Sequence, residues 1–90
     1  LGPCIQTNLD PTQVQLSTRV NGEVKQSSST SDLIFPVDQL ISDLSAIMTL
    51  LPGDIIVTGT PSGVGPIHHG DLVEVEVEGI GTLQNPVASA

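Results

Sequence analysis

"VQLSTRVNGEVKQ", Val14 to Gln26, is the stretch that decides the fold. Val14, Leu16, Thr18 and Val20 alternate with polar neighbours, the two-residue period of a half-buried strand. Asn21-Gly22 breaks the run and Val24 resumes beyond it. Both residues of an Asn-Gly pair tolerate the positive φ of a type I′ turn, so the stretch predicts a β-hairpin.

Upstream, Gly2, Pro3, Asn8, Asp10 and Pro11 are turn formers, and Leu1 to Pro11 reads as irregular or extended. Downstream, Ser27 to Asp32 is a polar connector. Ser31 or Asp32 is placed to cap a short turn over Leu33 to Phe35. A helix follows within Pro36–Leu51, its body about 37–50. Val37, Leu40, Ile41, Leu44, Ile47, Met48 and Leu51 form one stripe, with Asp38, Gln39, Ser42, Asp43 and Ser45 opposite. Pro36 suits the first helical position and Asp38 the positive end of the dipole. Met48, inside the stripe, reads as core rather than as a ligand.

Pro52-Gly53 ends the helix, and "DIIVT", Asp54 to Thr58, predicts a strand. Its apolar residues do not alternate, so both faces should be covered. Leu72 to Gly79 predicts another strand, with Val73, Val75 and Val77 facing one way and Glu74, Glu76 and Glu78 the other. "IGTLQNPV" adds a short last strand, and the terminal Ala-Ser-Ala is expected to fray. Pro52-Gly53-Asp54 and His69-Gly70-Asp71 share a turn type. The expected fold is mixed α+β, mainly β, with one amphipathic helix.

The totals narrow the function. Ninety residues make one domain or part of one. A chain this long buries roughly 60–65% of its unfolded surface. One Phe, no Trp and no Tyr leave its core thin. The net charge is −8, and Arg19 and Lys25 are the only cationic side chains, which argues against nucleic acid and anionic membrane surfaces. Cys4 is alone, so no internal disulfide can form, which fits a reducing, cytoplasmic setting. No apolar run approaches the ~18–20 residues of a membrane span, and no signal-peptide pattern is present. The first residue is Leu, which is expected of a processed chain or of a piece of a longer one.

Few residues carry chemistry. Glu74, Glu76 and Glu78 lie on one side of a strand. They make either a solvated face or a hard-cation site. His68-His69 lacks partners at zinc-like spacing and reads as a loop pair. Cys4 has no local base and reads as a buried or half-buried structural residue. "TGTPSGVG", Thr58 to Gly65, is the best candidate: three glycines, three hydroxyls and Pro61 at the end of an apolar run. No Lys follows as in a phosphate-binding loop, and the order is wrong for a nucleophile elbow. What it offers is hydroxyls and free N–H groups able to hold a carboxylate. A plain strand-ending turn is the other reading.

Taken together, "LGPCIQT", "TRVNGEVKQSSSTSDLIF", "LSAIMTLLPGDIIVTGTPSGVG" and "GDLVEVEVEGIGTLQNPV" resemble the C-terminal part of the fumarylacetoacetate hydrolase family. The likeness is nearest to its 2-hydroxyhepta-2,4-diene-1,7-dioate isomerases and related 2-oxo acid hydratases, hydrolases and decarboxylases. It runs from Leu1 to about Val87. The resemblance implies a β-roll with helices outside it. It implies a Mg²⁺- or Mn²⁺-dependent enzyme acting on 2-oxo or 2-hydroxydienoic acids, as in the breakdown of aromatic compounds, and a homodimer. It implies that Thr60 contacts the substrate acid while Gly59 and Pro61 shape the loop. The family's metal ligands, an E-x-E pair and a later Asp, and its catalytic His and Lys fall upstream of "LGP". Glu74-Val75-Glu76 is not that E-x-E. The resemblance therefore implies that residues 1–90 are the C-terminal portion of a catalytic domain, holding no metal ligand or catalytic residue and inactive alone. A small non-catalytic module that self-associates is the rival reading.

Overall fold

The computed structural model describes residues 1–90. Its frame is a four-stranded antiparallel sheet in the order β2-β1-β3-β4. The strands are β1 (Gln15–Val20), β2 (Glu23–Ser29), β3 (Leu72–Val77) and β4 (Gly81–Pro86), with one helix, α1 (Val37–Ile47), between β2 and β3. The mixed, mainly β class expected from the sequence is the class observed.

The β1–β2 hairpin turns at Asn21-Gly22, whose φ angles are +53° and +82°. These are the values that a type I′ turn needs and that Asn and Gly supply at least cost. The pairing then departs from simple alternation. Thr18 faces Gln26 but Arg19 faces Val24, so Lys25 is an extra, unpaired residue, a β-bulge. Val24 consequently lies opposite Arg19 and not among the valines. Leu16, Thr18 and Val20 of β1 do face Val77, Val75 and Val73 of β3, and Leu83 faces Val75 from β4. The valine side of the sheet was legible; the slip at Lys25 was not.

On the opposite side Arg19 reaches both Glu76, at 2.9 Å, and Glu74, at 3.6 Å. Gln84 Nε2 donates to Glu74 Oε2 at 2.9 Å. The strand glutamates thus serve a polar face with its own counter-charge.

Three expectations shift in detail. The capped turn is a 3-10 turn over Thr30–Asp32, with Ser29 as N-cap and Asp32 reaching back, so it lies earlier than Leu33 to Phe35. Val14 N–H donates to Thr30 Oγ1 and Thr30 N–H to Val14 O, both at 2.9 Å, tying this turn to the sheet. α1 begins after Pro36, which is its N-cap, and Met48 is already extended, so the helix is shorter than the stripe suggested. The C-terminal tail is held: Ser89 N–H donates to His69 Nδ1 at 3.0 Å, and Val87 pairs with Asp71 and Gly70.

The expected strand Asp54 to Thr58 does not form. The main chain from Ile55 to Ile67 makes no backbone–backbone hydrogen bond. An apolar run records a need for burial, whereas a strand also needs a neighbour, and this chain offers none there. The run is not covered either: Val57 is 89% and Ile55 59% exposed. Met48, read as core, is 54% exposed.

Val14, 3% exposed, is the one buried residue. The surface is 6771 Å², against roughly 5,000 Å² for a compact monomer of this size. The radius of gyration is 14.8 Å, against roughly 12 Å. Nor does α1 pack substantially on any strand. The elements are well formed locally, but their apolar faces are left exposed.

Candidate functional site

Two reciprocal turns set the ends of the candidate loop. In Leu51 to Asp54, Leu51 N–H donates to Asp54 Oδ2 at 2.7 Å and Asp54 N–H returns to Leu51 O at 3.0 Å. In His68 to Asp71 the same pair of bonds measures 2.9 and 3.1 Å. Gly53 and Gly70 take φ near +92° and +91° in the third position, which L side chains resist. The shared turn type seen in the sequence is real, and it brackets residues 55–67.

Between these turns, Thr58 to Pro61 lines one side of a groove of about 640 Å³. Leu33 to Phe35 line it as well, with Leu40 and Leu44 of α1 and with Ile56 and Val57. Gly59, Thr60 and Pro61 therefore sit together on its rim. The sheet holds this rim through one side chain that sequence reasoning missed. Gln26 Nε2 donates to Thr60 Oγ1 at 2.8 Å and to Pro61 O at 2.9 Å. No periodicity could have shown this contact, because it joins residues 34 apart across the edge of β2. The bulge at Lys25 is its local cause. Gly63, at φ +107°, lies so close to the Lys25 carbonyl that a Cβ there would collide with it.

The groove's charges are negative. Asp32 and Asp43 line it, and no Lys or Arg does. Hydrogen bonds from the Ser28 hydroxyl and then the Ser29 N–H hold Asp32 below the usual carboxylate range, so it stays ionised. The two cationic side chains are engaged elsewhere, Arg19 with Glu76 and Glu74 and Lys25 with Glu23. A carboxylate entering this groove meets like charge unless a cation comes with it.

No three His, Cys, Asp or Glu side chains come together in a way that could hold a metal ion. The donor set does not fit Mg²⁺ or Mn²⁺: Glu74 and Glu76 are claimed by Arg19, and Asp32 by serines. His68 stands 3.9 Å from Asp71, and His69 accepts from Ser89. Cys4, expected to be buried or half-buried, is exposed, with Sγ 3.6 Å from Ile80 O. Its segment is short of apolar cover, lying over the β3–β4 turn where Leu9 and Pro3 meet Gly79 and Gly81. No helix is long and apolar enough to cross a membrane.

The comparisons with known proteins agree on the family. A 5-carboxymethyl-2-hydroxymuconate delta-isomerase from Mycobacterium smegmatis superposes with a TM-score of 0.93 at 60% identity, over 97% of this chain and 35% of its own. The 2-hydroxyhepta-2,4-diene-1,7-dioate isomerase from Mycobacterium marinum gives 0.93 at 56% identity, over 97% and 34%. A maleylpyruvate hydrolase from Sphingobium sp. SYK-6, solved with manganese(II) ion and pyruvate, gives 0.92 at 39% identity, over 97% and 34%. This chain thus spans about a third of the length of the proteins it matches. Residues 1–88 match the family model described as fumarylacetoacetate (FAA) hydrolase C-terminal. The chain belongs to the fumarylacetoacetate hydrolase family.

Proposed function

We propose that this chain forms one wall of the substrate site of a divalent-metal-dependent enzyme that acts on 2-oxo or 2-hydroxydienoic acids. The reaction is an isomerisation, a hydration or a C–C bond hydrolysis. Thr60 contacts the substrate acid, and Gly59 and Pro61 shape the loop that presents it. The remaining walls, the ligands for Mg²⁺ or Mn²⁺ and the proton-transferring groups come from outside residues 1–90, and the complete assembly is a homodimer. By itself the chain is inactive.

The observation that carries this reading is the placement of the Thr60 hydroxyl. It is exposed on the rim of an apolar groove and held there by a side-chain amide. The groove supplies apolar contact for a diene carbon chain and a hydroxyl for its carboxylate, but no positive charge. A hard cation bound nearby would supply that charge and polarise the 2-oxo oxygen. The relative that was solved with manganese(II) and pyruvate supports this ligand class.

Calorimetric titration of the chain with Mn²⁺ together with pyruvate or oxalate tests the reading. Affinity weaker than a millimolar constant, about −4 kcal/mol, is expected. Tighter binding would mean that residues 1–90 carry a complete site, which this reading denies. The exposed apolar residues favour a second reading, a non-catalytic module that pairs with itself. Under that reading Thr60→Val, placed in a complete enzyme containing this sequence, changes neither substrate affinity nor rate.

A further inference from the structure

We propose that Gln26 is a positioning residue for Thr60: it keeps the Thr60 hydroxyl oxygen occupied as an acceptor, so that the hydroxyl's single proton is left for the substrate acid. The proposal rests on the reading above that Thr60 meets that acid.

Donor and acceptor chemistry fixes the direction of both bonds. Pro61 O is a carbonyl and can only accept, so the amide nitrogen of Gln26, and not its oxygen, must face the loop. An amide nitrogen has two protons. One goes to Pro61 O at 2.9 Å and the other to Thr60 Oγ1 at 2.8 Å. Thr60 therefore accepts from Gln26 and cannot donate to it. Its own proton is left to donate elsewhere, and a hydroxyl already accepting a bond donates more strongly.

Gln26 is well placed for this task. It pairs with Thr18 in the β1–β2 register and directly follows the extra residue Lys25. The close approach of Gly63 to the Lys25 carbonyl, and to the Gln26 side chain at 3.0 Å from a Cβ position, brings the loop within reach. Bulge, glutamine and glycine act together to orient a hydroxyl that the sequence alone shows only as one of three in the loop.

Two measurements decide it. In the 90-residue chain, Thr60→Val should shift one of the two Gln26 side-chain amide proton resonances and leave the other, which faces Pro61 O, in place. If neither proton moves, the contact is absent and the proposal is overturned. The second measurement grafts residues 1–88 onto the M. marinum isomerase in place of its matching third and reads the pyruvate dissociation constant at saturating Mn²⁺. Thr60→Val and Gln26→Met should each weaken pyruvate about tenfold, and the double variant no more than the weaker single. Losses that multiply, or a Gln26→Met variant that binds like its parent, overturn the positioning role while the functional reading stands. A graft that binds no pyruvate, or that is indifferent to Thr60→Val, overturns the functional reading instead. The amide resonances then still report whether Gln26 holds Thr60.

Discussion

Asn21 Nδ2 donates to Asp71 Oδ1 at 2.9 Å and joins two turns that lie fifty residues apart. The same Asn21 accepts from Leu72 N–H through Oδ1 at 2.9 Å, and its own N–H donates to Leu72 O at 2.9 Å. A hairpin turn chosen for its positive φ thus also fixes where β3 begins, and with it the turn that closes the candidate loop.

Replacing Asn21 separates the two roles. Asn21→Ala loses the side-chain bonds and strains the left-handed backbone, while Asn21→Gly loses only the bonds. One such exposed bond contributes about 0.5–1.5 kcal/mol, and the strain about 1–2 kcal/mol. Amide exchange at Leu72 should quicken for both and more for Ala. Equal exchange in all three proteins would show that the bridge adds nothing.

Asp71 gives a pH signature. Its carboxylate accepts first from His68 N–H and then from the Asn21 amide, which together hold its pKa below the ordinary 3.8. A depressed carboxylate stabilises the fold above its free value and loses that contribution as pH falls through the lower, folded one. Carbon NMR of the Asp71 carboxyl should show a midpoint under 3.8, rising in Asn21→Ala. A midpoint at or above 3.8 in the parent would mean the two bonds do not persist.

Gly63 and Gly65 look alike in the sequence and should respond differently. A methyl at Gly63 meets the Lys25 carbonyl at a positive φ, whereas at Gly65 nothing lies within 4 Å. Gly63→Ala should cost about 2 kcal/mol or more and release Gln26 from Thr60 and Pro61. Gly65→Ala should leave the Gln26 amide resonances unchanged. Matching behaviour of the two variants would remove the bulge from the account of the loop.

The exposed apolar faces predict association. Ile34, Phe35 and Val57 of the groove lining are exposed, as is Ile55. The isolated chain should bind a hydrophobic dye and sediment as dimers or larger species. A dye-silent monomer with a sharp thermal transition would contradict the view that these faces are built to be covered.

Much of this protein is legible in the order of its residues. Alternation placed β1, β3 and the valine side of the sheet, Asn-Gly placed the hairpin turn, and the apolar stripe placed α1, because these are local patterns of period and backbone preference. The family likeness was legible too, since it lies in ordered runs of sequence. The tertiary structure decided what depends on distant neighbours. It withheld the strand at Asp54 to Thr58, because pairing needs a second strand that this chain does not bring. It slipped the register at Lys25, which no pattern marks, and so brought Gln26 to Thr60. It also gave Glu74 and Glu76 to Arg19, because a counter-charge across a sheet is visible only once the register is known.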